Sequence, residues 1–195
     1  MMTYSMRSEC RFSFGIDYQS LYTLIENQIK QLSPSGRSMA VPLELIQTFK
    51  PIVYLPKEGK QRRLVDILYE SDNKYAILWF HWPFDDYTNK SDYEPVVLVY
   101  RDNLLHRIGI RPHQRYLSYR SWKTEGSRPI VVFHTAWHAP MIQGTNWGTL
   151  VGLYSTVERS NRLDNYTLKK GRPPEWYNKN GAKKGIYSFA NEISS

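Results

Sequence analysis

Acidic side chains are concentrated in one stretch of the chain, residues 79–95. Four carboxylates follow the break at Pro83: Asp85, Asp86, Asp92 and Glu94. Asp92 and Glu94 are two residues apart, so they point to the same face if a strand begins before Val96. Neighbouring carboxylates repel one another unless a cation, a proton or a basic group lies between them. The stretch therefore predicts one half of a cation site.

A histidine from another segment is expected to complete the site. His134 and His138 are four residues apart, the spacing that places two ligands on one face of a helix. Residues 130–133, which precede the pair, are typical of a strand, and Pro140 disfavours a helix. On a strand, two residues four apart are too far apart to bind one ion, so we expect His138 alone to take part. Carboxylates suit calcium or magnesium, and an added imidazole favours a metal such as manganese. The predicted ligands of a Mg, Ca or Mn ion, with no organic cofactor, are Asp85, Asp86, Asp92, Glu94 and His138.

Each of these residues has a structural interpretation as well. Asp92 and Glu94 are equally typical of a solvated loop or of salt bridges to nearby Lys and Arg, and a histidine is often a hydrogen-bonded packing residue. The chain has no glycine-rich phosphate loop and no Gly-x-Ser-x-Gly elbow. A hydrolytic reaction would therefore need a metal-activated water with a carboxylate as its base.

Basic residues form a second group of candidates. The chain has 26 Lys and Arg against 18 Asp and Glu, a formal charge of +8, and residues 159–184 contain eight basic residues against two acidic ones. A local basic field attracts phosphates, although a solvated lysine-rich surface has the same composition. Residues 115–122 alternate arginines with aromatic rings, which can stack on bases. The candidate nucleic-acid or anion contacts are Arg115, Arg120, Lys169, Lys170 and Arg172.

Short apolar segments between turn residues predict a mainly β protein, an antiparallel β-sandwich with few helices. The predicted strands are residues 51–55, 75–81, 96–100, 104–110, 130–133 and 186–189. Residues 64–69 are apolar but of uncertain type, and Leu43–Phe49 is expected to form a short helix that Pro51 ends. Arg101-Asp102-Asn103 is typical of a hairpin turn.

The N-terminal region is expected to form a separate arm. Leu21, Leu24, Ile25, Ile29 and Leu32 lie on one stripe of a helix over about residues 18–32, which Asp17 would cap. We therefore expect an arm at 1–40 packed on a β-sandwich domain at 41–195, whose C-terminal segment 159–184 is basic.

Composition limits the classes of protein that remain. The absence of a signal peptide and of an apolar run as long as a bilayer span predicts a cytoplasmic protein without a transmembrane segment. The single cysteine, Cys10, excludes an internal disulfide and a cysteine-based zinc site.

Three segments, in this order, resemble the vacuolar protein sorting-associated family: residues 45–55, 92–99 and 129–139. Asp92-Tyr93-Glu94 is also similar to the Asp-Trp-Glu of the signature of the necrosis- and ethylene-inducing toxins. That family has a β-sandwich fold, and those two acids bind a divalent cation. The resemblance implies that Asp92 and Glu94 are ligands, with Asp85 or Asp86 as a third, and that His138 matches a histidine of the third segment. Lys90 and Ser91 stand where the toxin signature has a basic residue and a histidine, and the chain shows no secretion signal.

Three functions are compatible with these patterns. The first is a binding domain in which a divalent cation in the Asp/Glu/His site recruits a small polar ligand, such as a sugar or a phosphate. The second is a metal-assisted hydrolase that uses the same residues. The third is a nucleic-acid or anionic-surface binder, which would work through the basic C-terminal segment and whose affinity would fall steeply with salt.

Overall fold

Two packed β-sheets make up most of the structure, a computed structural model. It describes residues 39–55, 63–83, 91–112, 115–134, 138–145, 161–175, 177 and 184–195. Asp85, Asp86, the predicted helix at 18–32 and most of the arm lie outside these residues. Met39–Ser195 forms one compact unit.

Eleven strands and two helices have defined bounds in the described ranges. The strands are β1 (Ile52–Leu55), β2 (Asp66–Ser71), β3 (Tyr75–Trp82), β4 (Asp92–Arg101), β5 (Leu104–Ile110), β6 (Leu117–Tyr119), β7 (Thr124–Glu125), β8 (Arg128–Phe133), β9 (Pro140–Ile142), β10 (Asn161–Leu163) and β11 (Lys169–Lys170). The helices are α1 (Leu43–Phe49) and α2 (Lys184–Ser194).

The strands are divided between two mixed sheets. One sheet has the order β11-β2-β3-β4-β5-β6, and the other has the order β10-β1-β8-β7 with β9 also paired to β8. Most pairs are antiparallel, but β1 pairs with β8 and β11 pairs with β2 in parallel. Each parallel pair joins strands far apart in the chain, as parallel pairing requires. The prediction of a mainly β sandwich is therefore confirmed, with two parallel pairs added.

The central strands of the six-stranded sheet, β3 and β4, are buried on both faces along most of their length. Even-numbered side chains of β3 and β4, such as Leu78 and Leu98, pack with Val131 and Phe133 of the other sheet in the core between the sheets. Odd-numbered side chains, such as Val97, pack under α2. Burial on both faces explains why these two strands read as nearly continuous apolar runs instead of alternating ones.

The C-terminal helix corrects one prediction. Residues 186–189 were expected to form a last strand, but they lie inside α2, Lys184–Ser194. The buried side chains of α2 are Ile186, Phe189, Ala190 and Ile193, and their spacing is that of one helix face. A four-residue window shows an alternation that suits a strand, whereas the helical period needs the longer segment.

Other local predictions hold. Leu43–Phe49 is helical as expected. Of residues 64–69, whose type the sequence leaves open, the last four belong to β2, Asp66–Ser71. Asp102 and Asn103 both have positive φ, 51° and 60°, which is the backbone of a tight hairpin turn. β4 begins at Asp92, so Asp92 and Glu94 belong to a strand. Within the described ranges, no helix is long and apolar enough to cross a bilayer.

Candidate functional site

Two of the predicted acidic residues, Asp92 and Glu94, lie where β3 ends and β4 begins. Asp92 pairs with Trp82 and Glu94 pairs with Phe80 across the two strands. Trp82 and Phe80 belong to the core between the sheets, so Asp92 and Glu94 share the face of β4 that points to the other sheet. The sequence therefore places two carboxylates at one end of an aromatic core.

His138 approaches the same place from the other sheet. It lies in the β8–β9 connection, whose ends are joined by a hydrogen bond from the His134 amide to the Ala139 carbonyl (3.1 Å). The His138 ring stacks on Trp82 at 4.6 Å between centroids with an interplanar angle of 9°. Only 2% of the histidine is exposed, and its φ of 48° is in the left-handed region. Such a backbone is unfavourable for a residue other than glycine, so the surrounding contacts hold it there.

Asp92 connects the two sheets at this end. Its Oδ2 lies 3.8 Å from His138 Nδ1, which is an ion-pair separation and longer than a hydrogen bond. Its Oδ1 accepts hydrogen bonds from the Tyr93 amide at 2.9 Å and from the Tyr177 hydroxyl at 3.4 Å. The Asp92 side chain is 17% exposed, so a ligand can reach it from solvent. Asp92, Glu94 and His138 are called the acidic site below.

Tyr177 is a neighbour that sequence reasoning missed. Its single hydroxyl proton is donated mainly to the Tyr93 carbonyl at 2.7 Å, so the 3.4 Å contact with Asp92 is the weaker branch of a shared hydrogen bond. Burial raises the pKa of the Tyr177 phenol, and the nearby charges of Asp92 and Glu94 raise it further, while Arg111 acts in the opposite direction. Both carboxylates are therefore close to this hydroxyl. Tyr177 follows the basic segment's Pro173-Pro174 pair, and no local motif marks it.

The described residues supply part of the predicted metal ligand set. Asp92 and His138 are brought together, and Glu94 lies two residues along the same strand face. Asp85 and Asp86 lie outside the described residues. Among the residues the structure describes, no group of three His, Cys, Asp or Glu side chains is placed to hold a metal ion. A cation would therefore need water or a further residue besides this pair.

His81 has a packing role of its own. Its Nδ1 lies 3.1 Å from Asp66 Oδ1, and because a carboxylate accepts, the ring nitrogen donates. The ring stacks on Tyr93 at 4.3 Å between centroids. Lys169 Nζ also donates to Asp66 at 3.3 Å. These contacts agree with the interpretation of His81 as a hydrogen-bonded packing residue.

The predicted anion contacts are distributed over the six-stranded sheet. Lys169 and Lys170 form β11 and Arg172 follows it, at one edge. Arg120 directly follows β6, at the opposite edge of the same sheet. Arg115 is exposed and lies shortly before β6. The five residues therefore do not form one patch.

Comparisons with known proteins give a structural likeness at low identity. No family model matches this chain, and no curated protein matches it. Among solved structures, the chain is similar to NLPPya, a necrosis- and ethylene-inducing peptide 1-like protein, in complex with glucosamine. The likeness has a TM-score of 0.41 and 14% sequence identity, and it covers 57% of this chain and 70% of the other. At this level of similarity the function must be inferred from the residues of the acidic site.

Proposed function

We propose that this chain is a ligand-binding domain whose acidic site, Asp92, Glu94 and His138, binds a divalent cation that recruits a small polar ligand. The observation that carries the proposal is the conformation and position of His138. It is buried, it keeps a left-handed backbone, and it is held 3.8 Å from a partly exposed carboxylate. Backbone strain of this kind costs on the order of 1–3 kcal/mol and clusters at functional sites.

Electrostatics supports a cation at this position. Asp92 and Glu94 lie on one strand face, where their charges repel each other. The carboxylate and imidazole atoms of Asp92 and His138 are separated by less than twice a metal–ligand bond of about 2.1 Å, so one ion can contact both. Magnesium commonly binds through one or two carboxylates and keeps several waters, so it tolerates a site with few protein ligands.

The stacked Trp82 ring explains how the imidazole is oriented. An aromatic pair at this separation restricts rotation of both rings, and Trp82 is itself buried in the core. The Tyr177 hydroxyl restrains the Asp92 carboxylate by a hydrogen bond. The chain thus fixes one carboxylate and one imidazole in advance of binding, which reduces the entropy that ligand binding must offset.

Thermal melting with and without chelator tests the cation. At an ion concentration of about 100 times Kd the folded state gains about 2.7 kcal/mol, which for a chain of this size raises Tm by about 5–10 °C. We expect this shift with Mg, Ca or Mn for the native sequence and its loss in the double variant Asp92→Asn/Glu94→Gln.

A matched control separates a site from a general charge effect. The double variant Glu175→Gln/Glu192→Gln removes the same charge from two exposed positions and should keep the full shift. Identical melting of the native protein with ion and with chelator would refute the cation. A shift that both double variants lose equally would refute the site.

The recruited ligand is tested in a second step. Simple sugars and phosphate esters are titrated with the ion present and with chelator, and heat of binding is measured. The proposal expects binding that requires the ion and is lost in Asp92→Asn/Glu94→Gln. Binding that is unchanged by chelator would show that the ligand does not depend on the cation.

A further inference from the structure

Four basic residues meet on the outer face of the six-stranded sheet, away from the acidic site. We propose that this basic patch, defined as Arg101, His106, Arg107 and Arg120, binds an oxyanion, the phosphate or sulfate group of a ligand. The patch shares only Arg120 with the anion contacts predicted from the sequence. Its geometry depends on a bulge in β5.

The bulge places two adjacent basic side chains on one face. Val99 pairs with Arg107 and Tyr100 pairs with Leu105, so His106 is an extra residue in β5. Leu105 and Ile108 are three apart, yet both pack in the core between the sheets. The two residues between them therefore both point outward, whereas a regular strand would separate them.

The neighbouring strands add an arginine from each side. In β4, Tyr100 packs in the core between the sheets and Val99 packs under α2, so Arg101 continues the outer face. In β6, Ile108 pairs with Tyr119, and one step further along this register Arg120 lies opposite Arg107. Arg101 and Arg120 are both exposed. Like charges placed opposite each other across strands are unfavourable, and an anion between them offsets the repulsion.

Two nitrogen atoms of the patch indicate a missing hydrogen-bond partner. Among the described residues, His106 Nε2 and Arg107 Nε are buried and make no hydrogen bond. Buried polar atoms in native proteins are nearly always satisfied, and arginine presents a donor fork that matches a phosphate or sulfate. An oxyanion held by the exposed side chains of Arg101 and Arg120 supplies these acceptors once the His106 and Arg107 side chains turn toward it.

The charges around His106 make binding depend on pH. Burial lowers the pKa of His106, and Arg101, Arg120 and Arg107 lower it further, while Asp102 opposes them. The acidic residue of the overlying α2, Glu192, is on that helix's exposed side. A bound dianion favours the protonated imidazole, so binding takes up a proton. Affinity for sulfate, which keeps its charge between pH 8 and pH 6, should rise as the pH falls, by at most tenfold per pH unit.

Calorimetric titration with sodium sulfate at fixed ionic strength tests the patch. We expect saturable binding to the native protein that Arg101→Ala/Arg120→Ala weakens at least tenfold. The control Arg63→Ala/Lys123→Ala removes the same charge at exposed positions elsewhere and should bind as the native protein does. His106→Gln should bind sulfate with no increase between pH 8 and pH 6.

Two further titrations identify the source of the anion. Inorganic phosphate and vesicles of phosphatidylcholine with phosphatidic acid are compared in the same variants. Binding of the free anions supports a soluble ligand, and binding of vesicles alone, with the same loss in Arg101→Ala/Arg120→Ala, supports a lipid headgroup. Absence of binding in the sulfate, phosphate and vesicle titrations overturns the proposal. Equal losses in the two double variants, or an unchanged pH dependence in His106→Gln, overturn it as well.

Discussion

Gly109 gives the sharpest test of how α2 packs on the sheet. It lies in β5, its φ is outside the left-handed region, and α2 passes directly over it. A Cβ added at Gly109 would lie 2.6 Å from Phe189 Cε1 and 2.8 Å from Ile193 Cδ1. Real Cβ atoms are essentially never found at such distances, so the helix must shift or the two side chains must change rotamer.

Two opposing terms set the size of the effect. Replacing a strand glycine with alanine ordinarily stabilises a protein by about 0.5–1 kcal/mol, because the unfolded chain loses freedom. Overpacking a filled core costs about 1–3 kcal/mol. The Phe189 ring has little room to move, since it is buried and packs on Tyr116 at 5.0 Å between centroids. We therefore expect Gly109→Ala to destabilise the protein by about 1–2 kcal/mol.

Urea unfolding of a double-mutant cycle measures this clash. Phe189→Leu removes the ring atom nearest the added methyl group, so it should cost at least about 1 kcal/mol less in the Gly109→Ala background than alone. Ser118→Ala, an exposed position on the neighbouring strand, is the control and should leave the unfolding midpoint nearly unchanged. A Gly109→Ala protein that is as stable as the native one, or more stable, would refute the packing of α2 on β5.

Three further predictions concern polar groups. Tyr166→Phe should destabilise the protein by about 1 kcal/mol in urea unfolding, because the hydroxyl donates to the Pro51 carbonyl at 2.7 Å. Tyr100→Phe should be neutral or stabilising, because the Tyr100 hydroxyl is buried and has no hydrogen-bond partner among the described residues. Equal losses of stability in Tyr166→Phe and Tyr100→Phe would contradict this. The pKa of His106 is lowered in the folded state from its ordinary value near 6.5, so the unfolded chain binds the proton first. The stability that the neutral His106 side chain contributes is present above pH 6.5 and is lost as the pH falls toward the folded pKa. In chloride buffer, the urea midpoint should therefore fall more with decreasing pH for the native protein than for His106→Gln.

Local sequence patterns predict much of the sheet. The apolar runs at 75–81 and 104–110 match β3 and β5 closely, and the run at 96–100 matches the second half of β4, because buried strands leave a strong apolar signal. Helix α2 has no clear local signal, because its four buried residues are spread over eight positions and a shorter window resembles a strand. Pairing between distant strands, such as β1 with β8, has no local signal in the sequence.

The acidic site was predicted in part. The two-residue spacing of Asp92 and Glu94 is visible in the sequence, and β4 does begin early enough to put them on one face. That only one of His134 and His138 takes part follows from the strand-like residues before them and from Pro140, and the resemblance favours His138. The left-handed turn and the Trp82 stack that hold His138 depend on tertiary packing. Tyr177 and the bulge at His106 depend on contacts and register that no single segment encodes.

The cation in the acidic site is the central claim, and the metal content of the protein tests it most directly. The native protein is equilibrated by dialysis with manganese, passed through a desalting column and measured by elemental analysis. The account predicts about one ion per chain in the native protein and in Glu175→Gln/Glu192→Gln, and a content near zero in Asp92→Asn/Glu94→Gln. Equal metal content in all three proteins, or none in the native one, would contradict it.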